Sequence, residues 1–114
     1  EAMGKTAVEI KKDTPGFIVN RILMPQFLEA MRIVEEGVAT VEDVDKAVKL
    51  GLNYPMGPFE LQDFSGVDIG VFVAEYFFNE TKDMKWNPPQ NIKALVRAGR
   101  VGRKAGAGWY DYNK

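Results

Sequence analysis

The sequence contains no cysteine and no histidine. Without cysteine there can be no disulfide framework, thiol nucleophile or thiolate metal site. That absence fits a reducing compartment and favours a cytoplasmic location. Without histidine there can be no Ser-His-Asp or Cys-His catalysis, and the commonest transition-metal ligand is missing. Charge of one sign is also lacking: 15 Lys and Arg face 16 Asp and Glu, for a net charge of −1. A broad nucleic-acid surface needs a basic footprint that this balance does not supply. No apolar run reaches the roughly 18 residues of a membrane span. Glu1 to Lys5 carry no apolar h-region of a signal peptide. What remains is 114 residues, 46% hydrophobic. That is one domain at most, large enough to bury a modest core without disulfides or metal. It lacks the side chain most used for acid–base work near neutral pH.

Thr6, Val8 and Ile10 alternate with Ala7, Glu9 and Lys11, a weak period-two pattern that predicts one strand. No second strand of similar quality follows. A lone strand cannot satisfy its backbone groups or bury a face. Either it is a frayed arm, or its sheet partners lie on another stretch of polypeptide. Five helices are predicted after it. Thr14 and Pro15 suit a helix start. From there a dense apolar run places Phe17, Leu23, Met24, Phe27, Leu28, Ala30, Met31 and Val34 on one face, at about 100° per residue. Ile18, Ile22 and Ile33 fall on the other side, among Glu29, Arg32 and Glu36. A helix apolar nearly all round is central or meets a second chain. Pro25 removes one backbone bond within it, and Gly37 ends it.

Thr40 opens a second helix as a capping-box variant. Val41, Val44, Ala47 and Val48 face inward, and Gly51 closes it. Pro58 starts a short third helix that stops at Ser65-Gly66. A fourth runs from about Asp68 to Thr81, and a fifth from Gln90 to Ala98, with Gly99 as its stop. The expected fold is therefore a nearly all-α helical bundle of about five helices behind an orphan strand.

Several residues invite a chemical reading. Asn20 sits on the main apolar face one turn from Phe17 and Met24. A buried amide must find partners or cost about 1–3 kcal/mol. Asn20 is either a satisfied structural residue, or it orients a catalytic side chain or substrate carbonyl across an interface. The rigid loop Tyr54 to Leu61 presents Met56, Phe59 and Leu61, either to plug the core or to form one wall of an apolar pocket. Arg97, Arg100, Arg103 and Lys104 either complement a helix C-terminus or contact an anion, and their spacing fits no phosphate loop. Glu60, Asp63 and Asp68 straddle a helix break in a spacing that fits no cation-ligand loop.

Three separated segments, taken together and in order, carry a resemblance. They are Asp13-Thr14-Pro15-Gly16-Phe17-Ile18-Val19-Asn20-Arg21, then GLNYPMGPFEL from Gly51 to Leu61, then GRKAGAGWYDY from Gly102 to Tyr112. In these the sequence resembles the C-terminal domain of the 3-hydroxyacyl-CoA dehydrogenases, most of all the 3-hydroxybutyryl-CoA type. The resemblance covers essentially the whole chain. It implies a helical domain like the 6-phosphogluconate dehydrogenase C-terminal domain, spanning residues 13–114. Residues 1–12 would then be the remnant of an NAD-binding Rossmann domain, which accounts for the orphan strand.

The resemblance also implies roles. Asn20 falls on the motif position near the catalytic His and the reacting oxygen, while the His and Glu themselves belong to the nucleotide-binding domain. Pro55 and Leu61, with Met56, would line the acyl-CoA side of the cleft. Lys104 would reach the NAD cofactor. The substrate would be a 3-hydroxyacyl-CoA of fatty-acid metabolism, oxidised to a 3-ketoacyl-CoA, and this half would be inactive alone. The helical domains would pair as a homodimer through the outer side of the first helix and the Ile69 to Phe78 helix. Ala105 and Trp109 depart from the usual Thr or Ser and Phe. A stand-alone helical interaction module is the competing reading, with the apolar faces binding a partner.

Overall fold

The computed structural model describes residues 18–112, with the side chain of Asn20 excepted. The expected strand at Thr6 to Ile10 and the helix start at Thr14-Pro15 lie outside the described residues. Five α-helices follow one another: α1 (Val19–Glu35), α2 (Val41–Leu52), α3 (Pro58–Ser65), α4 (Val67–Thr81) and α5 (Gln90–Arg97). Two short 3-10 turns, Met84–Trp86 and Arg103–Ala105, flank α5. Among the described residues there is no strand, only two isolated antiparallel bridges, Gly102 with Ala107 and Ala107 with Asp111.

The five expected helices all form, and α1 is central. It packs against α2, α3 and α5 and against the Met84–Trp86 turn. Met24, Phe27, Leu28, Ala30 and Met31 are buried on it, as the helical spacing predicts. They meet Phe59 of α3, Val71 and Phe77 of α4, and Ile92 of α5 in one core. Trp86 closes that core, with its ring centroid 4.6 Å from that of Phe77. Ile33 departs from its expected outward position and packs against the core. The α2 residue Ala47 is exposed rather than inward. Gly51 does not stop α2, which ends at Leu52 with Asn53 in the left-handed region at φ 58°. Asparagine tolerates that conformation better than most residues.

α1 and α5 cap each other. The Glu35 carboxylate accepts the Asn91 backbone N–H at 3.0 Å. The Asn91 amide in turn donates to the Met31 carbonyl at 3.0 Å. The Asn91 N–H is one of the donors at the start of α5 that have no intrahelical partner, and the Met31 carbonyl offers its second lone pair.

Candidate functional site

An apolar cleft runs along the N-terminal half of α1. Its outer cavity, about 360 Å³, is lined by Ile18, Val19, Ile22 and Leu23 from the start of α1 and by Tyr54, Pro55, Met56 and Leu61. An inner cavity of about 390 Å³ continues between α1 and α2. Pro55, Met56 and Leu61 are thus brought together on one wall of the outer cavity. The Asn20 backbone lies in the first turn of α1, beside the outer cavity, while its side chain is outside the described residues. Lys104 is exposed on the Arg103–Ala105 turn and lines neither cavity.

A carboxylate that sequence reasoning missed holds the cleft loop in place. Asp45, on α2, is 2% exposed. It accepts the backbone N–H groups of Phe59 at 2.8 Å and Glu60 at 3.1 Å. These are the orphan donors at the start of α3, which an N-cap side chain normally satisfies. Here the cap comes from another helix. Gly57 stands at the N-cap because a Cβ there would overlap the Asp45 carboxylate. The Gly57 N–H donates to Glu60 at 2.9 Å, which closes the turn from the other side. That bond, and Lys49 at 3.1 Å, hold the Glu60 carboxyl below its usual range against the opposing effect of burial. Burial pushes the Asp45 carboxyl up, although the Tyr110 hydroxyl and both backbone donors pull the other way.

A second carboxylate ties down the C-terminal segment. Asp63, 1% exposed, accepts the backbone N–H groups of Trp109 at 2.9 Å and Tyr110 at 3.1 Å. The Tyr112 hydroxyl donates to it at 2.6 Å. Gly108 makes that approach possible, since a Cβ there would overlap the Asp63 carboxylate. The Tyr110 hydroxyl crosses to Asp45 at 2.6 Å, so both carboxylates share one strap. Burial, and the bond to Asp45, raise the Tyr110 phenol well above its ordinary range. The Trp109 ring meets that of Phe59 at a tilt, with centroids 4.6 Å apart, and donates its indole N–H to Gln62 at 3.0 Å. A signal for both acids exists in the sequence. Asp45 shares a helical stripe with Val41, Val44 and Val48, and Asp63 lies one turn after Phe59. A charge on an apolar stripe needs donors, but only the fold identifies them.

The basic run divides. Arg100 donates to the Gly108 carbonyl at 3.0 Å and pairs with Asp111 at 2.9 Å. Arg103 lies over the rings of Phe64 and Tyr112. Glu60 and Asp63 are likewise engaged within the fold, and no group of three metal-ligating side chains occurs among the described residues.

Residues 16–112 match the family model described as 3-hydroxyacyl-CoA dehydrogenase, C-terminal domain. The chain belongs to the 3-hydroxyacyl-CoA dehydrogenase family, as its C-terminal domain. It is 46% identical over its whole length to a probable 3-hydroxybutyryl-CoA dehydrogenase of Bacillus subtilis, of which it covers 39%. It is 44% identical over 98% of its length to the human mitochondrial hydroxyacyl-coenzyme A dehydrogenase, covering 36% of that protein. The crystal structure of (S)-3-hydroxybutyryl-CoA dehydrogenase from Ralstonia eutropha superposes with a TM-score of 0.86 at 44% identity. That superposition covers 90% of this chain and 36% of the other. The chain therefore spans about two fifths of the length of the curated relatives that it matches. In this 3-hydroxyacyl-CoA dehydrogenase domain the third motif, Gly102 to Tyr112, supplies the strap around Asp45 and Asp63. The second motif supplies the wall of the cleft.

A separate apolar face belongs to α4. Ile69, Phe72 and Tyr76 recur on one side of it, and Phe72 is 66% exposed. Phe64, at the end of α3, is 65% exposed. The expected interface residues of α4 are thus on the surface of this chain.

Proposed function

We propose that this chain is the cleft-forming and dimerising part of an NAD-dependent 3-hydroxyacyl-CoA dehydrogenase, and that it works with a nucleotide-binding domain to which residues 1–12 belong. The observation that carries the proposal is the shared apolar wall of Pro55, Met56 and Leu61 beside the first turn of α1. Three motifs far apart in sequence converge on that wall and its support. A general base on the nucleotide-binding domain takes the proton of a 3-hydroxyl as the hydrogen on the same carbon leaves with its electron pair, which gives a 3-ketoacyl-CoA. NAD, when bound, accepts that hydrogen as hydride. The chain's own residues orient and shield. Asn20 holds the reacting oxygen with a hydrogen bond. The apolar wall packs against the acyl part and keeps water out. Lys104, an exposed cation, suits an edge contact to an oxygen of the cofactor. One such cation does not make a dinucleotide site, so the main NAD contacts lie elsewhere.

The test is turnover. A protein joining this chain to its nucleotide-binding domain reduces NAD in the presence of a 3-hydroxyacyl-CoA, and residues 1–114 alone give none. NADH absorbance reads both. Measurable turnover by the 114 residues alone overturns the division of labour.

Dimerisation through α4 follows from the same reading. Ile69, Phe72 and Tyr76 form an apolar patch of the sort that proteins cover. Phe72→Glu places a charge at its centre and shifts the protein from dimer to monomer in light scattering. A wild-type monomer removes this part of the proposal.

A further inference from the structure

The buried carboxylates Asp45 and Asp63 each receive a tyrosine hydroxyl at 2.6 Å, from Tyr110 and Tyr112 respectively. Their other partners differ. The backbone donors to Asp63 are Trp109 and Tyr110, both in the C-terminal segment. Those to Asp45 are Phe59 and Glu60, in the first turn of α3. That turn carries the wall of the outer cavity. Pro55 and Met56 lead directly into Gly57, and the Leu61 N–H closes the first bond of α3 onto the Gly57 carbonyl at 3.0 Å. At Gly57 the chain passes so close to α2 that a Cβ would overlap both the Asp45 carboxylate and the Asp45 Cα. The wall is therefore seated on α2 at Asp45, with a second tie through the Lys49–Glu60 pair at 3.1 Å. Pro55 and Pro58 stiffen the loop, so a displacement at the start of α3 is passed on to Met56 rather than absorbed. Neither Asp45 nor Tyr110 lines either cavity.

We propose that Asp45 and Tyr110 are positioning residues of the dehydrogenase: they fix the start of α3, and with it the placing of Pro55, Met56 and Leu61 for acyl-CoA binding, and touch no substrate themselves. This rests on the dehydrogenase reading and deepens it, by naming the buried groups behind the wall. The three donors to Asp45 are neutral groups, so hydrogen bonds must compensate the burial of its charge. The Tyr110 hydroxyl shares Oδ2 with the Glu60 N–H. Without that hydroxyl the carboxylate draws in water or a proton, and the start of α3 loses its fixed acceptor. A wall displaced by a fraction of an ångström loses contact with bound substrate in the ground state and the transition state alike. The change therefore falls on KM and not on kcat.

The experiment compares Tyr110→Phe with Tyr112→Phe in the full-length enzyme, with 3-hydroxybutyryl-CoA and NAD. Each variant removes one phenol hydroxyl from one buried carboxylate, so the second controls for general loosening of the C-terminal segment. Tyr110→Phe is expected to raise KM for the acyl-CoA about five- to tenfold, with kcat and the KM for NAD within about twofold of wild type. Tyr112→Phe is expected to lower the melting temperature and leave both KM values as in wild type. Asp45→Asn sets an amide donor against one of the Asp45 donors and raises the same KM further. Tyr110→Phe remains readable if Asp45→Asn does not fold. Equal rises in KM for Tyr110→Phe and Tyr112→Phe overturn the inference, because loosening of the segment then suffices. A lowered melting temperature with unchanged KM in Tyr110→Phe also overturns it and leaves both residues structural. Either result leaves the dehydrogenase reading intact. No turnover by the wild-type enzyme overturns that reading and this inference with it.

Discussion

Asp63→Ala costs the fold about 3–5 kcal/mol, the largest single stability loss expected in this chain. The side chain is buried and accepts three donors, two of them backbone N–H groups with no other partner near. Removing the acceptor leaves those donors desolvated, at about 1–3 kcal/mol each. It also frees Gly108 to Tyr112 from α3, which uncovers the Phe59–Trp109 contact. Domains have only about 5–15 kcal/mol of stability, so the shift in guanidinium midpoint should be large. Asp63→Asn keeps one acceptor oxygen and recovers part of the loss. An Asp63→Ala midpoint within error of wild type contradicts the strap. The strap also has an alkaline signature. Burial and the bond to Asp63 push the Tyr112 phenol up to about 12 from an ordinary value of 10.0. The fold therefore favours the protonated phenol. Its contribution is full below pH 10.0 and is lost as pH rises towards about 12. Tyr112→Phe removes that component of the alkaline loss, which tyrosinate absorbance monitors.

Asn20→Ala lowers kcat by about 10²–10³-fold in the full-length enzyme, the range for loss of one preorganised donor at a reacting oxygen. Its effect on stability should stay below about 1 kcal/mol. The first turn of α1 carries little of the core, since Val19 is 70% exposed and Ile22 is 61% exposed. A positioning residue at an open cleft edge separates the two readouts: kcat falls while the melting temperature holds. Unchanged kcat with lost stability returns Asn20 to a structural amide.

Helices with a strong local pattern were legible in advance. α2 begins at Thr40, whose hydroxyl accepts the Asp43 N–H at 3.1 Å. α3 begins at Pro58 and α5 at Gln90. Each boundary depends on residues within one turn of it, so the sequence displays it directly. α2 runs past Gly51, the stop its local pattern suggests, because Asn53 takes the left-handed position instead. Ile33 packs against the core although helical spacing sets it apart from the main apolar face, because spacing shows which residues share a face and not how many neighbouring helices surround it. α1 has neighbours on several sides near its C-terminal half, so Ile33 is partly covered there, while Ile18 and Ile22 on the same face stay exposed.

The apolar wall was half legible. A loop with two prolines at Pro55 and Pro58 reads as rigid, and Met56 and Leu61 read as apolar. That they face α1 and not solvent follows from the packing of α1 on α3. Asp45 and Asp63 stand at the other extreme. Their donors lie 14 to 65 residues away, and no local pattern encodes a partner at that separation. The sequence by itself determined five helices, the Thr40 and Pro58 starts among them, the absence of histidine-based chemistry in this chain and the three motifs. The tertiary structure alone decided that the buried Asp45 caps α3 and the buried Asp63 straps the last motif to it, and that the cleft continues between α1 and α2. Local propensity is written within a turn of each residue, whereas hydrogen-bond satisfaction and cavity shape exist only once distant segments meet.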